Sequence, residues 1–378
     1  MGTLIRINGI ILLFGLLVSV NSLAFSKDTL RKDQFNQNHP ENPQYARLQN
    51  ALQGLYEIQK KGGWPKITGT QKFYLKGQKA SAIKQIKERL RISGDFNSKD
   101  TSSIFTTELV AAVQRVQKRF GYKQNGVVDA LLIKQLNVPV DDRIQQVLTN
   151  MQRFQNTSFS GSGTRLVVNI PEYRLHVYEG PQEIFNMDIV VGSEEHKTVM
   201  FDDEMTNIVF SPYWNVPPSI VENEILPAMQ SNKNYLRNNG YEITGYENGL
   251  PVIRQKPGPQ NSLGLVKFVF PNEHGIYFHD TPAKGLFEYP KRTFSHGCIR
   301  LAEPAKLAEY LLRNSPGWTA DKIQKAMNSG KEQWVRLPGA VPVSIAYYTA
   351  WVEDDGQLQL RQDIYGLDKK IANSVASR

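Results

Sequence analysis

Ser295-His296-Gly297-Cys298-Ile299-Arg300-Leu301, with Tyr277-Phe278-His279-Asp280-Thr281-Pro282 shortly before it, holds the densest cluster of reactive side chains in the chain. Cys298 is the one cysteine among 378 residues and follows His279 by 19 positions and His296 by two. A free thiol is mostly protonated at neutral pH, and the thiolate is the nucleophile. A nearby imidazole can take its proton. A glycine directly before the nucleophile permits a sharp turn and lets backbone N–H groups approach a developing oxyanion. Gly297 occupies that position, and Asp280 offers a carbonyl or a carboxylate to fix the tautomer of His279. Two other readings stay open on the residues alone: an inert buried thiol, and a zinc site made of His279, His296 and Cys298.

Outward from this cluster the pattern is that of strands. Phe268-Val269-Phe270 and Ile276-Tyr277-Phe278-His279 read as strands, which puts Tyr277 on the same face as His279. Leu166, Val168 and Ile170 alternate with polar neighbours, as do Leu175 and Val177, and Pro171-Glu172-Tyr173 turns between them as a hairpin. Met187 to Val191 and Ile208 to Tyr213 read as further strands. Residues 215–262 interrupt this β domain as an insertion. Pro217-Pro218-Ser219 opens a helix there, followed by a polar Asn/Gly/Lys stretch of the kind that forms lids or binding loops.

Toward the N-terminus the period changes to helical. Leu48, Leu52, Leu55 and Ile58 mark a helix from Pro43 to Lys60, ended by Gly62-Gly63-Trp64-Pro65. Ile83, Ile86 and Leu90 mark a second. Phe105, Leu109, Ala112, Val113, Val116 and Phe120 mark a third, closed by Gly121. Leu131, Leu132 and Leu136 mark a short fourth, and another amphipathic helix spans Asp141 to Phe154. Gly161-Ser162-Gly163 is a hinge into the β domain.

The first residues read as a secretory signal peptide: Arg6, an apolar run from Ile10 to Val20, and Ser22-Leu23-Ala24 as cleavage site. The run is short for a membrane span. Hydrophobic content of 40% and charged content of 21% are globular proportions. The formal net charge is +9, with basic residues spread along the chain rather than gathered in a nucleic-acid tract. A single cysteine excludes an intramolecular disulfide. His176, His196 and His274 read as structural or surface residues, and His39 lies in a polar tether.

Two resemblances follow from these residues. Gly77, the Ile83–Leu90 and Ala112–Phe120 helices, Gly121, Gly126 and Leu136-Asn137 resemble a three-helix peptidoglycan-binding domain. His279 followed by Ser295-His296-Gly297-Cys298-Ile299-Arg300 resembles the signature of the L,D-transpeptidase (YkuD-type) catalytic domain. Tyr277 to Pro282 and Ser211-Pro212-Tyr213-Trp214-Asn215-Val216-Pro217-Pro218 are similar to the larger periplasmic members, which carry a capping insertion. The fold this implies is α+β: a β-rich catalytic domain with a helical insertion, preceded by a small helical domain. The expected layout is a signal peptide (1–24), a tether and helix (25–70) and the peptidoglycan-binding-like domain (71–140). A linker helix (141–163), the catalytic domain (164–338, insertion about 215–262) and a C-terminal extension (339–378) follow.

The resemblance implies a two-step acyl transfer on peptidoglycan tetrapeptide stems, which serve as donor and acceptor in a 3→3 cross-link. L,D-carboxypeptidase action or release of wall-linked protein is the alternative on the same site. Cys298 is then the nucleophile, His279 the general base and the Asp280 carbonyl its orienter. His296 shapes the site, and the N–H groups of Gly297 and Cys298 form the oxyanion hole. Tyr277, Arg300, Ser295, Asp280 and Trp214 are the expected substrate contacts. No cofactor, metal or nucleic acid is implied, membrane contact is limited to the signal peptide before its cleavage, and the expected location is the periplasm.

Overall fold

The computed structural model describes residues 42–69, 71–155 and 162–376, so the signal peptide, most of the tether and part of the hinge lie outside the described residues. Helix α1 (Pro43–Lys60) begins where Asn42 caps the Gln44 N–H and a proline fills the first turn. It buries Tyr45, Leu48, Leu52 and Leu55.

Helices α2 (Ser81–Ile92), α3 (Thr107–Arg119) and α4 (Ala130–Leu136) form the expected small module. Thr106 and Asp129 cap the second and third of these. A two-residue ladder pairs Phe73 and Tyr74 with Asp129 and Val128. The module's core includes Ile83, Ile86, Leu90, Leu109, Val113, Val116 and Leu132. Lys87 is 0% exposed within it. Its ammonium donates to Asp100 Oδ2 at 2.6 Å and to the carbonyls of Ser102 and Ile104 at 2.9 and 2.7 Å, so its burial is fully compensated. Helix α5 (Val140–Gln155) leads out of the module.

The β domain is a nine-stranded sheet. Its strands are β1 (Thr164–Asn169), β2 (Arg174–Glu179), β3 (Gln182–Gly192) and β4 (Phe201–Phe210). The insertion supplies β5 (Trp214–Asn215), β6 (Tyr241–Glu247) and β7 (Leu250–Gln255) as a separate three-stranded sheet. The main sheet resumes with β8 (Val266–Val269), β9 (Phe278–His279), β10 (Thr293–Ser295), β11 (Ile299–Leu301) and β12 (Gln333–Ala346). Its order is β10-β3-β11-β9-β8-β4-β12-β1-β2, and a β2–β3 pairing closes the sheet on itself. One face packs with helices α6 (Pro304–Leu312) and α7 (Ala320–Met327) in a single core that includes Ile208, Phe268, Phe278, Ile299 and Leu301.

Several boundaries differ from expectation. The strand expected over Ile208–Tyr213 runs from Phe201 to Phe210, and Ser211 with φ 46° ends it. The polar stretch of the insertion contains a hairpin, β6–β7, rather than only loops. Val216, Ile220, Val221, Ile225 and Ile253 give the insertion its own small core. Strand β12 runs straight through the expected boundary at 338, pairing with both β4 and β1. The extension beyond it carries a hairpin of β13 (Ala350–Val352) and β14 (Leu358–Leu360) and helix α8 (Leu367–Ala376).

That extension ties the helical and β parts together. Gln146 donates to the carbonyls of Thr349 and Arg361, both at 2.8 Å, and Gln44 pairs with the backbone of Val352. Arg361 reaches the Arg119 carbonyl at 2.8 Å, passing so close to Gly121 that a Cβ there would lie 2.5 Å from its Nε. Gly121, at φ 71°, therefore serves both as the stop after α3 and as the gap for this arginine.

Candidate active site

The strand register aligns three basic side chains. Lys267 on β8 pairs with His279 on β9, and His279 pairs with Arg300 on β11. Their neighbours Phe268, Phe278 and Ile299 face the core, so alternation turns this row to the opposite face. Cys298 stands immediately before β11. Ile299 N–H donates to the Tyr277 carbonyl at 3.1 Å, which brings the start of β11 beside Tyr277. The Tyr277 ring lies 5.7 Å from the His279 ring, on the face the sequence predicts. Lys267 Nζ sits 3.7 Å above the Tyr277 ring centroid.

His279 is 4% exposed, and its Nδ1 lies 2.5 Å from the Asp280 carbonyl oxygen. That carbonyl accepts the Nδ1 proton and leaves Nε2 as the acceptor. Burial first, then the positive charge of Arg300, hold the imidazole down to about 3; the hydrogen bond to the Asp280 carbonyl opposes them, and Lys267 adds a smaller push downward. Burial pushes the Cys298 thiol up, while hydrogen bonds from Tyr277 and the charges of Lys267 and Arg300 pull it back. Lys267 and Arg300 are themselves lowered by burial, with Cys298 opposing the shift in each. Neither cation forms an ion pair among the described residues. Both answer to the sulfur, and Lys267 also to Glu332, so the resting site combines a neutral imidazole, a thiol and two positive charges that form no ion pair among the described residues.

The loop carrying Cys298 is braced by groups that leave one N–H free. Gly297 has φ 110°, a region closed to ordinary side chains. Its N–H donates to Ser295 Oγ at 3.1 Å, and Ser295 Oγ donates to the Cys298 carbonyl at 2.5 Å. The Gly297 carbonyl accepts from Thr198 Oγ1 at 2.7 Å. In a trans peptide this fixes the Cys298 N–H on the opposite side, where it donates to no group among the described residues. Gly297 N–H, expected in the oxyanion hole, is thus already occupied. Ser295, expected to touch substrate, is 3% exposed and acts as the brace.

Asp280 is corrected in the same way. Its carboxylate accepts from Leu265 N–H at 2.9 Å and from Lys284 Nζ at 2.6 Å, which commits it to the loop before β8 rather than to substrate. Arg300 forms no ion pair among the described residues, and its buried Nε has no hydrogen-bond partner there. Trp214 packs against the insertion core, and its side chain slightly offsets the rise that burial gives the Tyr277 phenol. His296 Nε2 pairs with Glu224 of the insertion at 2.9 Å, and its ring lies 4.9 Å from His196. His196 therefore has a companion that sequence alone did not reveal. His176 has two: its nitrogens meet Glu172 at 3.1 Å and Glu183 at 3.2 Å. Burial alone would lower it, but the two carboxylates raise it to about 10. No group of three or more His, Cys, Asp or Glu side chains among the described residues is placed to hold a metal ion, the set of His279, His296 and Cys298 included. No helix among them is long and apolar enough to cross a membrane.

Sequence reasoning missed Lys267, Thr198, Glu224 and Tyr365. Tyr365 OH donates to the Gly192 carbonyl at 2.6 Å and accepts from Thr198 N–H, so the C-terminal extension supports the loop beneath Cys298. Alternation in Val266-Lys267-Phe268 marks Lys267 as opposite to the core, but its partner row depends on strand order. The others come from segments with no periodic signal. A cleft of about 130 Å³ opens beside Lys267, bounded by Val209, Asn215, Arg254 and Trp334.

Comparison with known families adds the following. Residues 163–325 match YkuD, the L,D-transpeptidase catalytic domain, and residues 79–136 match the family described as "Putative peptidoglycan binding domain". A relative from Haemophilus influenzae named "Putative L,D-transpeptidase" is 31% identical over 243 residues, covering 60% of this chain and 49% of that protein. The chain thus spans about half the length of that relative. Among solved structures, an L,D-transpeptidase from Stackebrandtia nassauensis shares 14% identity over 74% of this chain and 97% of its own, with a TM-score of 0.29. One from Mycobacterium smegmatis shares 14% over 49% and 59%, with a TM-score of 0.27.

Proposed function

We propose that this chain, whose residues 163–325 are an L,D-transpeptidase catalytic domain, forms 3→3 peptidoglycan cross-links through a thioester on Cys298. The observation that carries this reading is the row of Lys267, His279 and Arg300 beside Cys298. At rest burial above all keeps the imidazole neutral and the proton on sulfur, and the two cations add to the first effect while opposing the second. A carboxylate of the incoming tetrapeptide stem neutralises them. The imidazole then becomes basic enough to accept the thiol proton at Nε2 as sulfur attacks the carbonyl between diaminopimelate and terminal D-Ala.

The Cys298 N–H receives the developing oxyanion. The tetrahedral intermediate collapses to a thioester, and the protonated imidazole gives its proton to the departing D-Ala amine. The side-chain amine of a neighbouring diaminopimelate then attacks the thioester, loses a proton to His279 and releases the thiol. Trp214 and Tyr277 line the donor side. The insertion, latched by Glu224 to His296, covers the site and limits water. This reading entails a location at the cell wall, the periplasm after removal of the signal peptide.

Mass analysis of disaccharide-tetrapeptide incubated with the protein, beside Cys298→Ala, tests it. Dimers joined 3→3 from the wild type alone are expected. Tripeptide without dimers would move the acceptor to water, and neither product would sink the reading.

A further inference from the structure

A second concentration of buried positive charge lies in the helical part of the molecule, around a cavity of about 370 Å³ between α1, the helical module and the β13–β14 turn. Four arginines line it, Arg89, Arg115, Arg119 and Arg143, against one acid, Asp95. Asp95 is already taken. Both its oxygens accept from Arg119 Nη1, at 2.6 and 2.8 Å, and Ser93 donates to it at 2.6 Å. Arg115 reaches only the Asp95 carbonyl, at 2.7 Å.

Arg89 and Arg143 are each 4% exposed and meet no carboxylate. Arg89 Nε donates to the Leu136 carbonyl at 2.9 Å, while its Nη1 has no partner. Arg143 donates to Gln146 and Gln135 at 2.7 to 3.0 Å, and its Nε has none. The Arg89 guanidinium lies 3.7 Å from the Trp64 ring centroid, and that of Arg143 lies 5.2 Å from Phe120. Burial and mutual repulsion lower Arg89 to about 9, and burial above all lowers Arg143 to about 10, so both remain charged at neutral pH. Buried charge of one sign with open donors is unfavourable unless an anion joins it. Lys87, two positions from Arg89 on the same helix, shows the alternative, with every donor satisfied internally.

We propose that this cavity binds the carboxylate of a short peptide, with Arg89 and Arg143 on the carboxylate, Arg115 at the mouth, and Trp64, Leu55 and Leu358 against small apolar side chains. A planar guanidinium offers a paired-donor fork that matches a carboxylate. The apolar walls add a surface for alanine-sized groups, which a bare inorganic anion would leave unused. That the peptide comes from the wall rests on the function proposed above; the charge imbalance does not. Because three parts of the chain meet here, occupancy would also stiffen the joint between the helical and catalytic parts.

Hydrogen-exchange mass spectrometry on full-length Cys298→Ala protein titrated with disaccharide-tetrapeptide reads both sites at once. The expected result is slowed exchange over 87–95 and 113–120 alongside slowed exchange over 262–300. Arg89→Gln raises the midpoint for the first two segments about 10-fold or more while leaving that for 262–300 unchanged. Arg115→Gln, at an exposed position, raises it about 3-fold and guards against a folding defect in the first variant. Protection over 262–300 alone overturns the cavity proposal and leaves the catalytic reading standing. Protection over the helical segments alone does the reverse. Equal protection by inorganic phosphate, or by tetrapeptide with its carboxyls amidated, overturns the assignment to a peptide carboxylate.

Discussion

Lys267 and Arg300 of the row and Arg89 and Arg143 of the helical cavity form no ion pair among the described residues, yet they differ in what stands opposite. At the row, Lys267 and Arg300 face a sulfur that becomes negative in the proposed reaction. At the cavity, Arg89 and Arg143 face empty space and each other. Lys87 supplies the reference case, a buried cation with a full set of internal acceptors. A buried charge thus means structure where its partners are all internal, chemistry where its partner is ionisable, and binding where a partner is absent.

The largest expected effect tests the row itself. Replacing His279 with Ala should cut cross-link formation by about 10²–10⁴-fold, measured by product mass analysis. Retained activity would break the link between the row and catalysis. Next in size is Lys87→Met, which removes the donor to Asp100 Oδ2 and to the carbonyls of Ser102 and Ile104. It should lower stability by about 3 kcal/mol in chemical denaturation. Arg89→Met should change stability by no more than about 1 kcal/mol, because its removal also relieves an uncompensated charge. If the two losses were equal, the distinction between compensated and open cations would fail.

A smaller effect sharpens the chemical side. The Cys298 thiol sits above its ordinary range, so alkylation of the free protein should rise with pH through a midpoint higher than that of a free thiol. Lys267→Met removes a charge that favours the thiolate, so the midpoint should move further up and alkylation near about pH 8 should fall about 10-fold. An unchanged profile would detach Lys267 from the sulfur. The smallest effect concerns the brace. Thr198→Val frees the Gly297 carbonyl and should lower kcat about 10-fold with little change in KM, and Thr198→Ser should restore it. A change in KM alone would make Thr198 a binding residue.

The helices were legible because their apolar residues recur at spacings of three and four and their ends carry caps: α1 has the bounds that Leu48 to Ile58 and the Gly62-Gly63 stop imply. The β1–β2 hairpin was legible from alternation around Pro171-Glu172-Tyr173. Strand β12 was not: Val341, Val343 and Ile345 alternate with their neighbours, but Pro338, Gly339 and Pro342 read as strand breakers, and the strand draws its place from β1 and β4 on either side. The closeness of Cys298, His279 and Gly297 in the chain, on which the proposed chemistry rests, was readable from local order alone. The assignments of Ser295 and Asp280 to substrate were not sound, since what each oxygen bonds depends on the turn that carries it.

Sequence by itself determined which residues are able to do chemistry, because one cysteine, two histidines and a glycine in a short span restrict what the span can be. It also determined the change from helical to strand architecture, because periodicity is a local property. Tertiary structure alone decided which charges meet. Strand order placed Lys267 and Arg300 on either side of His279, and the C-terminal extension brought Tyr365 under Thr198. Packing of the module against that extension closed the arginine cavity. The physical reason is range: propensity and capping act within a few residues of the chain. Electrostatic compensation of a buried group instead depends on whatever the fold brings within a few ångströms.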